Sequence, residues 1–468
     1  MPQIPPALSR LPLIASDRLY LERRETMTMS NDLTRRDFVK KAAGLTAAGA
    51  LAATTSASYA APARRTFGPN DRINVGCIGI GGRGSGLLGQ ALGLSESGGG
   101  LQVVAVCDVY QKRLNRAAER AKGAKAYMDF EELLDHPGLD AVIIATPDHW
   151  HAPVAIAAML KGKDVYCEKP MTHTVEEARD MVKTAAATGA VVQVGSQTTS
   201  QDQWHKARKV ISDGMLGKLI MSQGSYHRNS IEGEWNYRIE ADAGPDAKGD
   251  SFLNWKKWLG YAKERPYDAD RFFRFRKYWD YSGGIATDLF YHVIAPMTLC
   301  WGKPEFPVRV VGTGGIWAFP DRDVPDTFML CADYPSGHSL VLSSSMANDT
   351  HIPGLIRGHE ATLMLVEQGQ FEGRTDQITV TAQSRFKDQF IKKWGADKIV
   401  LKTEPREGHM ENWLRCIRER GTPVCNVQIG YSAMAVIDLA CRSYRDGKVY
   451  AYDAEKEQVV DHPLSVRA

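Results

Sequence analysis

Between Arg72 and Val194, short apolar runs alternate with stretches in which apolar residues recur every three or four positions. The runs Ile73 to Ile78, Leu101 to Cys107, Ala141 to Ala145, Val165 to Cys167 and Val191 to Val194 read as strands, and their near-continuous hydrophobicity is that of parallel strands buried on both faces. Helices are predicted at Gln111 to Lys122, Ala152 to Lys161 and Val175 to Thr188, each long enough to cross between parallel strands. This alternation predicts an α/β fold with a parallel sheet. After Gly195 the pattern changes. A short helix at Asp202 to Ser212 precedes alternating strands at Leu219 to His227, Val308 to Ile316, Thr327 to Tyr334, Ser339 to Ser345 and Ala361 to Val366. They predict an α+β region on a large, mostly antiparallel open sheet, with helices at Asp288 to Leu299, Met410 to Arg420 and Tyr431 to Arg445 over one face.

Composition adds exclusions. With 468 residues, 43% apolar and 24% charged, the chain is neither disordered, collagen-like nor a disulfide miniprotein. No stretch reaches the roughly 18 consecutive strongly apolar residues of a membrane-spanning helix. Residues 1–60 read as a targeting segment: Thr34-Arg35-Arg36-Asp37-Phe38-Val39-Lys40 precedes a mild Ala/Gly/Thr stretch that ends at Ser58-Tyr59-Ala60. This resembles a twin-arginine signal, too weakly apolar for a stable membrane anchor, and predicts a periplasmic or otherwise exported protein. Without it, 50 basic and 50 acidic residues balance, leaving no nucleic-acid footprint. All eight cysteines lie beyond the signal, and Cys77, Cys107 and Cys167 fall within apolar strands, so buried thiols are expected and not a disulfide framework.

The first strand runs into Gly79-Ile80-Gly81-Gly82-Arg83-Gly84, a GxGxxG opening a helix near Ser85. In a strand-turn-helix context these glycines allow a tight turn and the approach of a dinucleotide pyrophosphate; an ordinary glycine-rich turn is the alternative. Asp108 ends the second strand, where a carboxylate binds ribose hydroxyls and favours NAD. Lys112 and Arg113 nearby leave NADP open, and a helix cap is the structural alternative for Asp108. The implied organisation is a signal at 1–60, a Rossmann domain at 68–196 and a C-terminal domain at 197–468.

Thr146-Pro147-Asp148-His149-Trp150-His151, Glu168-Lys169-Pro170 and Gly283-Gly284-Ile285-Ala286-Thr287-Asp288-Leu289-Phe290-Tyr291-His292 together resemble the glucose-fructose oxidoreductase and inositol dehydrogenase family, Gfo/Idh/MocA. The resemblance extends from about Arg72 into the C-terminal region. It implies a Rossmann domain, a second domain whose sheet forms homo-oligomers, and NAD lying along Gly79, Gly81, Gly82, Arg83, Gly84, Asp108, Thr146, Pro147, His151, Glu168 and Lys169. It gives Lys169 the hydrogen bond to the reacting oxygen and His292 the general acid-base role, with no metal. Asp288, four positions before His292 on one expected helix, can act on the same substrate or tune the imidazole. Phe290 stands where many relatives have glycine, so it is expected to reshape the pocket wall.

Trp204, Trp235, Trp255, Trp258 and Trp279 are interleaved with His205, Lys206, His227, Arg228, Asn229, Arg274 and Arg276, a mixture suited to carbohydrate. Core packing is the alternative for each tryptophan. Trp204, His227, Arg228, Trp235, Arg274 and Arg276 are the candidate substrate residues. The expected activity is NAD-dependent oxidation of a secondary hydroxyl of a sugar, glycoside or polyol, or reduction of the ketone, with a retained and self-recycled cofactor. Redox-neutral cleavage through a transient keto-sugar and non-catalytic sugar binding with retained NAD are the rivals.

Overall fold

Strands that are apolar on both faces need cover on both sides, and the first part of the chain supplies it. The computed structural model describes residues 64–465 apart from 69, 372 and 374, so residues 1–60, where a twin-arginine signal is expected, lie outside the described residues. The elements run β1 (Ile73–Ile78), α1 (Gly82–Glu96), β2 (Leu101–Cys107), α2 (Gln111–Arg120), β3 (Lys125–Tyr127), α3 (Phe130–Leu134), β4 (Ala141–Ile144), α4 (Asp148–Leu160), β5 (Asp164–Glu168), α5 (Val175–Thr188) and β6 (Val192–Gly195). All six strands are parallel, in the order β3-β2-β1-β4-β5-β6. The order reverses between β1 and β4, and that switch point opens a crevice at the carboxyl ends of the strands. Local chemistry sets the ends of these helices. Thr174 and Glu177 form a reciprocal capping box at the start of α5, and left-handed Gly189 ends it; such a cap contributes about 1 kcal/mol.

The second sheet is built from β7 (Leu219–Ser225), β9 (Arg309–Gly315), β10 (Thr327–Asp333), β11 (Ser339–Ser345), β13 (Gly354–Gly358), β14 (Ala361–Val366), β15 (Gln377–Ala382) and β16 (Lys398–Lys402), while β8 (Arg228–Asn229) pairs with β12 (Ala347–Asn348). Its order is β16-β15-β14-β13-β7-β11-β10-β9, antiparallel except where β7 meets β11. The helices are α6 (Asp202–Ser212), α7 (Trp255–Leu259), α8 (Ala269–Phe273), α9 (Ile285–Asp288), α10 (Tyr291–Trp301), α11 (Lys387–Trp394), α12 (His409–Glu419) and α13 (Val427–Asp446). Helix α13 lies directly on β9: a Cβ on Gly312 would fall 2.2 Å from the Ala440 carbonyl. Val310, Phe328, Leu330, Leu340 and Leu342 point inward and are buried, whereas Val311 and Met329 on the other face are exposed.

Two placements differ from the linear reading. Helix α12 returns to the first sheet, where Met410, Trp413, Leu414 and Ile417 join Ile73, Val75 and Leu101 in one core. The expected continuous helix from Asp288 is broken: Phe290 N bonds Ile285 O, His292 N bonds Leu289 O, and α10 begins only at Tyr291. All eight cysteines are free; seven are buried and Cys331 is exposed.

Candidate active site

The glycine motif is shaped by close contacts. Gly79 has φ +81°, and a Cβ there would lie 2.8 Å from Thr146 N. On Gly84 it would lie 1.8 Å from Gly79 O, because the first turn of α1 rests on the preceding strand exit. By contrast Gly82 faces open space, with nothing within 4 Å of its Cβ position. The free N–H groups of the first turn and the positive helix end make this an anion cradle. Across it stands Thr146, whose Oγ1 is buried without a hydrogen-bond partner among the described residues. A cradle that a Cβ would fill and an unpaired hydroxyl beside it both fit a dinucleotide. Gly84→Ala is expected to cost about 2 kcal/mol of stability and to lower the NAD content of the purified protein relative to the wild type, as scanning calorimetry and mass spectrometry would record.

Asp108 ends β2 with each carboxylate oxygen fixed, Oδ2 by Ile80 N at 2.7 Å and Oδ1 by Tyr110 N at 2.9 Å. Burial pushes its pKa up, against Arg113 and these two bonds. Lys112 is paired with Glu240, which also accepts from the Tyr110 hydroxyl. That pairing neutralises one cation available to a 2′-phosphate and agrees with NAD.

At the end of β5 the Lys169–Pro170 bond is cis. Glu168 is buried, and its Oε1 accepts from Arg83 Nε at 2.8 Å and Gln197 Nε2 at 2.7 Å. His151 is also buried, its ring nitrogens directed at Pro170 O (2.6 Å) and Thr146 O (2.8 Å); burial lowers its pKa, against Asp148 and these carbonyls. Glu168 and His151 therefore brace the loop that carries Lys169. Pro147 precedes the first turn of α4.

Lys169 Nζ donates to Asp288 Oδ1 at 2.7 Å and to the Asp288 carbonyl at 2.8 Å. The same Oδ1 accepts from Arg276 Nε at 2.8 Å, and Oδ2 accepts from Trp235 Nε1 at 3.2 Å. Burial alone would raise the Asp288 pKa, but Arg276 and Lys169 override it and hold the carboxyl well below its usual range. Asp288 is therefore a fixed carboxylate that holds Lys169, not a proton carrier near neutral pH. His292 stacks on Tyr226 with ring centroids 5.4 Å apart.

Asp288 reaches this point because Gly284, at φ +59°, turns the chain beside Val324. Thr287 then accepts from Gly283 N and donates to Asp148 Oδ2 at 2.9 Å, tying α9 to α4. Trp235 is buried at φ 68°, a region that costs a non-glycine residue about 1 kcal/mol or more. The Arg322 guanidinium lies 5.9 Å from its ring. Thr287 and Gln197 went unnoticed in the sequence, although Thr287 adjoins Asp288 within the recognised motif.

The proposed substrate residues divide. Arg276, Arg228 and Trp235 gather around Asp288. The others are engaged in packing or in bonds elsewhere. Trp204 is fully buried and stacked on Phe371. His227 is engaged by Ser343 Oγ and Ser345 N, and Arg274 holds the Tyr237 carbonyl and Asp270. Trp255 and Trp258 stack in a core with Tyr110, Phe272 and Phe273, because rings of that size gain more from burial than from exposure. Phe290 is likewise buried against Phe328 and does not form a pocket wall.

Comparison with known proteins agrees with this geometry. Residues 73–196 match the model of an oxidoreductase family's NAD-binding Rossmann fold, and residues 201–339 match that family's C-terminal alpha/beta domain. A glycosyl hydrolase family 109 protein of Saccharopolyspora erythraea is 32% identical over 217 residues, 42% of this chain and 46% of the relative. An inositol 2-dehydrogenase of Rubrobacter xylanophilus is 33% identical over 174 residues, 36% of this chain and 49% of the relative. The chain thus spans about half the length of these curated relatives. In fold it is similar to the WlbA dehydrogenase of Bordetella pertussis in complex with NADH and UDP-GlcNAcA (TM-score 0.58, 18% identity, covering 84% of this chain and 100% of that one). It is also similar to an aldose-aldose oxidoreductase of Caulobacter crescentus (TM-score 0.57, 18% identity, covering 81% and 99%). A parallel Rossmann sheet with a glycine cradle, a second, mixed sheet, and matches to both models of the family over more than half of its length place this chain in the Gfo/Idh/MocA oxidoreductase family, with NAD as its cofactor.

Proposed function

We propose that the chain oxidises a secondary hydroxyl of a sugar, glycoside or polyol, or reduces the corresponding ketone. The observation that carries this reading is the Lys169 ammonium held 2.7 Å from Asp288 Oδ1 at the end of β5, on the side of the sheet that bears the glycine cradle. Lys169 donates a hydrogen bond to the reacting oxygen and steadies an alkoxide. His292 takes or returns the proton, a role suited to imidazole. Asp288 fixes Lys169, while Trp235 and Thr287 fix Asp288 and its loop. Bound NAD supplies the hydride acceptor or donor.

The reading includes export by the twin-arginine segment and a homo-oligomer formed through the outer face of the second sheet. Exposed Val311, Met329 and Val400 on that sheet support the oligomer. An exported enzyme has no ready supply of NAD, so its cofactor is loaded beforehand and restored in each catalytic cycle. Purified mature protein is expected to release stoichiometric NAD(H) on denaturation, read by absorbance and mass spectrometry. Isolation of an empty protein that binds added NAD only weakly would remove self-recycling from the reading.

The similarity to a glycosyl hydrolase family 109 protein favours a second reading, redox-neutral cleavage of a glycoside. Product analysis separates the two, since cleavage releases the leaving sugar with no net change in cofactor.

A further inference from the structure

Around Asp288 the chain gathers more cations than oxidation of a neutral sugar requires. Lys169 and Arg276 share one anchor, Asp288 Oδ1. Arg228 adds a third positive charge in the field of Asp288, with its own bonds going to Glu234 at 3.3 Å and the Tyr226 hydroxyl at 3.1 Å. Against these stand Asp288, Glu234 and Asp148, and burial biases the Asp148 carboxyl toward its neutral form. With Asp288 and Glu234 ionised against three cations, the cluster carries one positive charge in excess, and two cations besides the one at the reacting oxygen that alkoxide stabilisation needs.

Arg276 is the informative one. Its Nε is bonded to Asp288, and its guanidinium lies 4.6 Å from the Phe275 ring centroid. The side chain is only 23% exposed, yet among the described residues no hydrogen bond to Nη1 or Nη2 is found. One edge of the fork is clamped while the other is oriented and unused. A planar pair of donors held in this way matches a carboxylate in bidentate geometry.

We propose that the substrate is a sugar acid, a uronate or aldonate, whose carboxylate binds the Nη1/Nη2 edge of Arg276 while a hydroxyl on a nearby carbon reaches Lys169. This rests on the oxidoreductase reading of the same site. Tyr237, half exposed and in the field of Arg276 and Arg228, offers a ring face to the sugar.

Calorimetry on the NAD-loaded protein tests the proposal with D-glucuronate, D-galacturonate and D-gluconate, each beside its methyl ester, and with D-glucose 6-phosphate. At least one acid is expected to bind about 30-fold more tightly than its ester. Arg276→Gln is expected to bring that ratio close to unity, and Arg276→Lys to restore part of it. Equal affinity of every acid and its ester, or tighter binding of the phosphate than of any acid, overturns the proposal without recourse to a variant. Turnover distinguishes the two levels of the argument. Faster reduction of NAD by neutral sugars than by the acids overturns the sugar-acid assignment and leaves the oxidoreductase reading intact. Tight acid binding with no absorbance change on any substrate overturns the oxidoreductase reading and leaves the Arg276 carboxylate site standing.

Discussion

Lys169→Ala is expected to lower turnover by about 10³-fold while leaving the dinucleotide bound. In the proposed reaction the ammonium donates to the reacting oxygen, but it takes no part in the glycine cradle, which is built by Gly79, Gly84 and the first turn of α1. Its removal does not strand the carboxylate either, because Asp288 keeps Arg276 on Oδ1 and Trp235 on Oδ2. Single-turnover absorbance of the bound cofactor, with NAD content measured on the same sample, reads both quantities. Full turnover in this variant would remove every catalytic assignment and favour a sugar-binding protein that retains NAD.

The second large effect is on stability and concerns Asp288→Asn. Lys169 and Arg276 are largely buried and share that one carboxylate, so its loss leaves two cations uncompensated. Removing one partner of a buried ion pair costs about 3 kcal/mol or more, and urea unfolding at pH 7 should show it. The direction with pH follows from the depressed pKa of Asp288 in the fold. A carboxyl that ionises more readily when folded contributes its full stabilisation above the unfolded value of about 4 and loses it as pH falls toward the folded value. The gap between wild type and Asp288→Asn is therefore widest at neutral pH and narrows below about pH 4. A constant gap across that range would mean that the ion pair is not what the substitution removed.

Much of the first sheet is legible because parallel strands buried on both faces leave continuous apolar runs, as in Ile73 to Ile78 and Leu101 to Cys107. Strand β3 escapes notice: Lys125-Ala126-Tyr127 is three residues long, lies at the sheet edge and has no fully buried position. Edge strand β16, Lys398–Lys402, sets three apolar residues between two lysines with only partial burial, a run too short to separate a strand from a solvent-exposed helix turn. The break after Asp288 is equally hidden. The run from Leu289 to Met297 is apolar enough for one helix, and only the coordinates show Phe290 N reaching back to Ile285.

The site divides along similar lines. Lys169, Asp288 and the glycines lie in compact motifs, and two of those motifs meet in space. Aromatic content, in contrast, does not distinguish a sugar platform from a core: Trp204 is a candidate on the same grounds as Trp235, and tertiary packing buries both, together with Trp255 and Trp258. The Trp235 indole N–H donates to Asp288, whereas that of Trp255 donates to the Arg265 carbonyl. Arg276 is separated by 107 positions from Lys169 in sequence, so their shared oxygen could not be read from any local spacing.

The contact between Lys169 and Asp288 joins residues 119 positions apart, one at the end of a parallel strand and the other on the helix before α10. Helix α12, which completes the core of the first sheet, comes later still in the chain. The dinucleotide domain and the anchor of Lys169 are therefore both finished by residues that follow the first sheet in sequence, so a truncation after Gly195 removes part of each.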